Sequence, residues 1–344
     1  MSRNFKIGIF ITLAILVTTF TFYFWQIFKT PNLQLEKEDS FVLLIPEKAT
    51  YQTVLDTLKK HEVVNDYVSF QFLAKLLDYP ESIKPGRYVI KPNTPNYPII
   101  KKLKAGDQDA VKLTFNNIRL KDDLIARIGP RFAFGAEGLR EALNSPEVSQ
   151  KYGFDTVTVV SMFLPNTYEI YWNVSTEKFL DRMHSEYEKF WTDERKAKAK
   201  AMNMTPTQVT VLASIVEAET KKEDEKPRVA GVYLNRMEQG MPLQADPTIV
   251  FAWRDFSIRR VLNYHTQIKS PYNTYRNVGL PPGPINLPAP TSIDAVLNRE
   301  DHKYIYFCAR ADFSGYHAFA ENYEDHMKNA RDYQQALNRL NIKQ

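Results

Sequence analysis

Glu217 stands near the end of VTVLASIVEAET (209–220), where every residue from Val211 to Val216 is apolar or small. Burying a carboxylate there is costly. Desolvation favours the neutral acid and raises its pKa, and the carbonyl end of a helix closing near Thr220 pushes the same way. An acid that keeps its proton near neutral pH can serve as a general acid. The plainer alternative is a Glu that leaves the core at the last turn and pairs with Lys221 or Lys222, since perturbed carboxylates are structural as well as catalytic.

Other polar groups follow. Asp246 precedes Pro247, a pattern that reads as a helix N-cap with Pro at the first helical position, or as a second acid in a cleft. Residues 270–290 carry six prolines with Gly279 and Gly283 between them, and Tyr272, Asn273, Tyr275 and Asn277 beside them. An irregular stretch of about twenty residues in a compact domain is functional or disordered. Its aromatic and amide content favours function, and its prolines lower the entropy lost on ordering. Rings that stack on sugar faces and amides that bond hydroxyls suit a glycan. Cys308 lies in a strand-like run and reads as a small hydrophobe, and His317 in a C-terminal hairpin reads as structural. No phosphate loop, HExxH, CxxC or GxSxG motif occurs, and no pair of the six histidines has zinc-ligand spacing. No metal and no cofactor is expected.

The elements that must position these groups can be read from pattern. The Glu217 helix runs through 209–220, and Pro227 opens a second whose apolar stripe runs through Val229, Ala230, Tyr233, Leu234 and Met237 to Gly240. The pair predicts a hairpin with Glu217 near the connection. Glu219, two positions along, is expected on a different face. Upstream, strand–helix units are expected at 41–45 with a helix capped by Thr50, at a helix over 68–77, at a strand 88–90 and at a helix stopped by Gly106. A faint echo relates Leu43, Val54 and Leu58 to Leu113, Leu124 and Ile128. Residues 179–204 read as one long charged helix. Strands at 304–309 and 317–320 and a helix over 322–340 close the chain.

The first residues set the compartment. Arg3 and Lys6 precede an uncharged run over 7–28, closed by Lys29. At ~1.5 Å per residue it spans about 33 Å, enough to cross a hydrocarbon core. Phe20, Phe22, Tyr23, Phe24 and Trp25 form an aromatic belt at its far end. No small-residue cleavage site follows, so an uncleaved anchor with a cytoplasmic N-terminus is expected, with the rest outside the inner membrane. The formal net charge of +5 comes without a long basic block, which disfavours nucleic acid. The organisation expected is a stub at 1–6, an anchor at 7–28, a tether at 29–40, small α/β modules at 41–106 and 107–160, and a mixed α+β domain at 161–344.

Four ordered segments, IVEAET, RVAGVYLNRMEQGMPLQADPTIVFA, SPYNTYRNVGLPPGPINLPAPTSIDAVLN and YIYFCARADFSGYHAFAENYEDH, resemble the endolytic murein transglycosylases of the MltG/YceG-like family. FLPNTYEIYW and KPGRYVI extend the resemblance more loosely. It implies a LysM-like module over 41–106 ahead of an α+β catalytic domain. The implied reaction cuts peptidoglycan glycan strands between N-acetylmuramic acid and N-acetylglucosamine and leaves 1,6-anhydro ends. The family's catalytic Glu falls on Glu217, and Gln244, Asp246, Thr248, Tyr272, Asn273, Tyr275 and Asn322 fall on its motifs as glycan-cleft candidates. The family is expected to act on nascent strands beside cell-wall synthases and to limit chain length. Two other readings stay open: a two-carboxylate muramidase in which Asp246 or Glu219 activates water, and a non-catalytic wall-binding scaffold.

Overall fold

The computed structural model describes residues 2–33 and 39–339. The chain is mixed α+β and divides into two compact units, one of residues 1–113, 131–134 and 168–175, the other of 114–130, 135–167 and 176–344.

The first unit opens with the Arg3–Lys29 helix, which has no buried residue and a mean hydropathy of 2.1 over its most apolar window. It is long and apolar enough to cross a membrane. Past it, strands Phe41–Ile45 and Gly86–Ile90 pair antiparallel, with Leu43 opposite Tyr88 and Ile45 opposite Gly86. Between the strands lie helices Tyr51–Lys60 and Tyr67–Leu76, and Asn96–Ala105 follows. Thr50 and Thr53 form a capping box at the first helix, and Asp66 caps the second. Alternation on the strands turns Leu43, Ile45, Tyr88 and Ile90 inward onto Val54, Leu58, Phe70, Leu73 and Ile100. One expectation needs correction. Pro31–Leu33, assigned to a polar tether, is a short strand paired with Thr94 and Pro95, with Asn32 and Leu33 buried. Residues 34–38 of that tether lie outside the described residues. Residue 340, placed in the last helix, does too.

The second unit is built round the Pro206–Glu219 helix. Thr205 and Gln208 cap it reciprocally, Pro206 fits its first turn, and Val209 to Val216 are all buried. A helix apolar on every side belongs in a core. It packs against Lys226–Glu238, Asp246–Trp253 and Pro290–Leu297. The expected hairpin of the first two is present. The charged stretch after Thr176 is two helices, Thr176–Phe190 and Asp193–Ala201, because buried Trp191 ends one and the Thr192 hydroxyl caps the next. Of the echo's second set, Leu124 and Ile128 are buried on helix Lys121–Ile128 of this unit, while Leu113, on strand Val111–Phe115, is buried and counts with the first unit. The strand pair Tyr306–Ala309 and His317–Ala320 and the helix Tyr323–Arg339 end the unit.

Candidate active site

Residues 270–290 contain neither helix nor strand before Pro290, and their backbone is tied to the Glu217 helix at two levels. Ile285 N–H donates to Ser214 Oγ (3.0 Å) and Asn286 Nδ2 to Ser214 O (2.8 Å). One turn on, Ala289 N–H donates to Glu217 Oε2 (2.6 Å), and so does Ser292 Oγ (2.8 Å). Ser214 and Glu217 share a helix face at i, i+3, so the proline-rich segment runs along that face. Glu217 Oε1 has no hydrogen-bond partner among the described residues.

A cation stands behind this arrangement. Lys226 is only 3% exposed; its Nζ donates to Ser292 Oγ (2.9 Å) and to Glu223 Oε1 (2.6 Å). Ammonium, hydroxyl and carboxylate thus form one chain, Lys226 to Ser292 to Glu217. A buried ammonium is tolerable only with such partners. The chain fixes the Glu217 carboxyl through Oε2 and leaves the other oxygen to act.

Glu217 lines a cavity of about 810 Å³. The cavity lies across the helix end rather than along one face, since Glu217, Ala218, Glu219 and Lys221 all reach it. This corrects the expectation that Glu219 points elsewhere: the helix stops at Glu219 and Thr220 turns extended, so facial periodicity no longer sorts these side chains. Asp246, Pro247, Val250 and Phe251 form another wall, with Asn117, Arg119, Asp123, Phe256, Arg259 and Asn286 further round.

Three carboxyls besides Glu217 therefore meet the cavity, Asp123, Glu219 and Asp246, and burial shifts the last two. Glu219 accepts from Tyr233 Oη at 2.6 Å. Burial raises its pKa to about 7; the Tyr233 hydrogen bond opposes the rise and the Asp246 charge adds to it. Asp246 accepts from Tyr275 Oη at 2.5 Å. It opens to solvent along part of its surface, yet desolvation of its carboxyl by the apolar wall raises its pKa, against the Tyr275 bond. Asp246 is the first helical residue, with Ala245 as N-cap, and its side chain makes no cap. The capping role expected for it is thus not the one observed: its carboxylate is drawn to Tyr275.

The remaining candidates are placed differently. Gln244 sits at φ +54°, accepts from Arg236 and donates its N–H to Thr274 O. Thr248 is fully buried and its hydroxyl is shared with Ala245 O and Thr274 Oγ1. Asn273 is fully buried, donating to Thr266 O and Ile268 O and accepting from Tyr275 N–H. These two polar side chains are spent on the loop itself. Tyr272 packs on Phe251 with ring centroids 4.7 Å apart, which places it behind the cavity wall. Asn322 and Asp325 bond reciprocally at the start of the last helix, and Asn322 does not line the cavity. His317, read from the sequence as structural, gives its N–H to Glu225 Oε1, and its Nδ1 lies 2.7 Å from Glu225 Oε2. Cys308 is half-buried and burial raises its thiol pKa, which disfavours the thiolate. Among the described residues no group of His, Cys, Asp and Glu could hold a metal ion.

Sequence reasoning missed Lys226, Ser292, Ala289 and Tyr233 as neighbours of the site. Pro290 followed by an apolar helix signalled where Ser292 would lie, but nothing local signalled its partner.

Comparison with known proteins gives a consistent picture. The YceG-like family model matches residues 43–332. The chain is 27% identical over 319 residues to an endolytic murein transglycosylase of Streptococcus pneumoniae serotype 2 (strain D39), covering 84% of this chain and 57% of that protein. A Bacillus subtilis (strain 168) protein of the same name is 26% identical over 305 residues, covering 84% of this chain and 83% of the relative. The chain thus spans little more than half the length of the pneumococcal relative. In fold it is similar to the crystal structure of a yceG-like protein from Listeria monocytogenes, at a TM-score of 0.55 and 24% identity, over 84% of this chain and 98% of that one.

Proposed function

This chain belongs to the YceG-like family, and on that premise we propose that it is a membrane-anchored endolytic lytic transglycosylase of peptidoglycan. The observation that carries the reading is the Glu217 carboxyl at the cavity wall, with Oε2 held by Ala289 N–H and Ser292 Oγ and Oε1 unpartnered among the described residues. Curated relatives named endolytic murein transglycosylases, in Streptococcus pneumoniae and Bacillus subtilis, support it.

The reaction assigned is cleavage of the N-acetylmuramic acid–N-acetylglucosamine bond within a nascent strand. Glu217 gives its proton to the glycosidic oxygen as the C1–O4 bond breaks. It then takes the proton from the muramic C6 hydroxyl as O6 closes on C1. No water enters, and the product keeps a 1,6-anhydro ring. Intramolecular attack gains from proximity and requires a single carboxyl, unlike two-carboxylate hydrolysis. Of the family-motif candidates, Asp246 and its partner Tyr275 are the pair we place nearest the glycan.

The Arg3–Lys29 helix is the anchor, with Arg3 and Lys6 on the cytoplasmic side and both units beyond the inner membrane. The strand–helix–helix–strand order over 41–90 supports a small module that the resemblance assigns as LysM-like. Cell-wall synthases are the partners expected of an enzyme that cuts strands as they form and so limits their length.

Glu219 and Asp246 on the same cavity favour one second reading, a hydrolase in which either activates water. Mass spectrometry of purified glycan digested by the full chain decides between them: anhydro ends support the transglycosylase, and ends heavier by one water support the hydrolase.

A further inference from the structure

The anchor does not end in a free tether. Ile27 and Phe28 pack against the core of the first unit, and the Phe28 ring lies 5.7 Å from that of Tyr97. Directly after the helix, the buried Asn32 amide donates to Asp66 O and Asn96 Oδ1, both at 2.8 Å, and its Oδ1 accepts from Asp66 N–H at 2.6 Å. Helix Arg3–Lys29 and helix Tyr67–Leu76 are thereby locked together.

This lock fixes the depth of one surface. A groove of about 420 Å³ lies between the two helices, walled by Tyr23 and Ile27 on one side and by Val68 and Phe72 on the other, with Asn65 and Asp66 among its polar residues. Tyr23 lies six residues before Lys29, about 9 Å back along the axis. The groove straddles the helix end: Thr30, Pro31 and Asn32 line it past Lys29, while Tyr23, Gln26 and Ile27 carry its other half back along the span. The Tyr67–Leu76 helix presents Val68, Phe72 and Leu76 at i, i+4, i+8, and these are 80%, 50% and 53% exposed. A continuous apolar stripe on a surface helix needs a cover, and at this depth the cover is lipid.

We infer that the stripe Val68, Phe72 and Leu76 lies in the outer interfacial layer of the membrane, so that helix Tyr67–Leu76 is a second, in-plane membrane contact and the groove beside Tyr23 admits an acyl chain. This rests on reading Arg3–Lys29 as a membrane span. An amphipathic helix buries its apolar face about 5–10 Å into such a layer, which matches the offset of Tyr23. The contact holds the first unit at a set tilt on the bilayer.

Nitroxide labels at Val68→Cys and Phe72→Cys, in a Cys308→Ser full-length chain in phospholipid nanodiscs, test it, with Leu16→Cys as a reference inside the span. All three positions are on exposed surfaces, and the two helix positions check each other. The expected result is that labels at 68 and 72 relax more with oxygen than with a water-soluble nickel chelate, at a shallower depth than the label at 16. Labels at 68 and 72 that respond mainly to the chelate, with the label at 16 in lipid, overturn the inference and leave the anchor standing. A label at 16 that is also open to the chelate removes the anchor itself.

Discussion

Ser292 Oγ donates to Glu217 Oε2 at 2.8 Å while accepting from Lys226 Nζ at 2.9 Å. One hydroxyl from the helix after the proline-rich loop thus joins the only strongly buried cation of the helical connection to the carboxyl at the cavity wall. Ser292 is itself fully buried, so it positions Glu217 and does not touch substrate.

Ser292→Ala removes that link and leaves Lys226 with Glu223 alone. Misplacing a reacting group by about 1 Å costs on the order of 100-fold in rate. We expect kcat to fall about 10- to 100-fold with KM little changed, measured by muropeptide release from purified glycan. A rise in KM at constant kcat would instead make Ser292 a binding group.

Glu219 gives a pH dependence of known sign. Its folded pKa of about 7 lies above the ordinary 4.5. Between those values the folded chain holds a proton that the unfolded chain has lost, so this group's contribution to stability falls as pH rises through that window. The loss above pH 7 amounts to up to about 3 kcal/mol. Glu219→Gln should flatten the difference between unfolding free energies measured in urea at pH 5 and pH 8. An unchanged difference would mean that Glu219 ionises normally.

Asp246 separates the two chemistries by magnitude. If it only hydrogen-bonds the glycan, Asp246→Asn should lower kcat/KM by about tenfold, the worth of one such bond. If it activates water, the loss should be about 100- to 10,000-fold. The transglycosylase reading predicts the smaller figure, with anhydro ends retained.

Gly231 marks where the Lys226–Glu238 helix meets the chain after Glu300. A Cβ there would come within 2.6 Å of His302 Nε2 and 2.7 Å of Glu300 O. Gly231→Ala should destabilise by about 1–3 kcal/mol, read by denaturant titration, while activity per folded molecule is kept. Unchanged stability would show that the 300–302 segment yields freely.

Much of this site was legible because its signals are local. Pro227 announces a helix start, Gly240 a helix end, and the run before Glu217 a buried helix. What pairs with Glu217 was not legible, since Ser292 and Ala289 lie more than seventy residues away and only the folded loop brings them back. Asn273 and Thr248 show the converse. Polar types in a loop suggest a ligand, yet a segment without regular structure must satisfy its own backbone, and these side chains do so. The single helix expected over 179–204 failed for a third reason: charge patterning carries no break signal, whereas the Thr192 cap does.

Glu217→Gln is nearly isosteric and keeps an acceptor for Ala289 N–H and Ser292 Oγ. The decisive measurement is anhydro-muropeptide release from purified glycan strands by this variant beside the wild type, with matched unfolding curves. The account predicts a folded protein whose release is lost. Release at the wild-type rate would remove Glu217 from the chemistry.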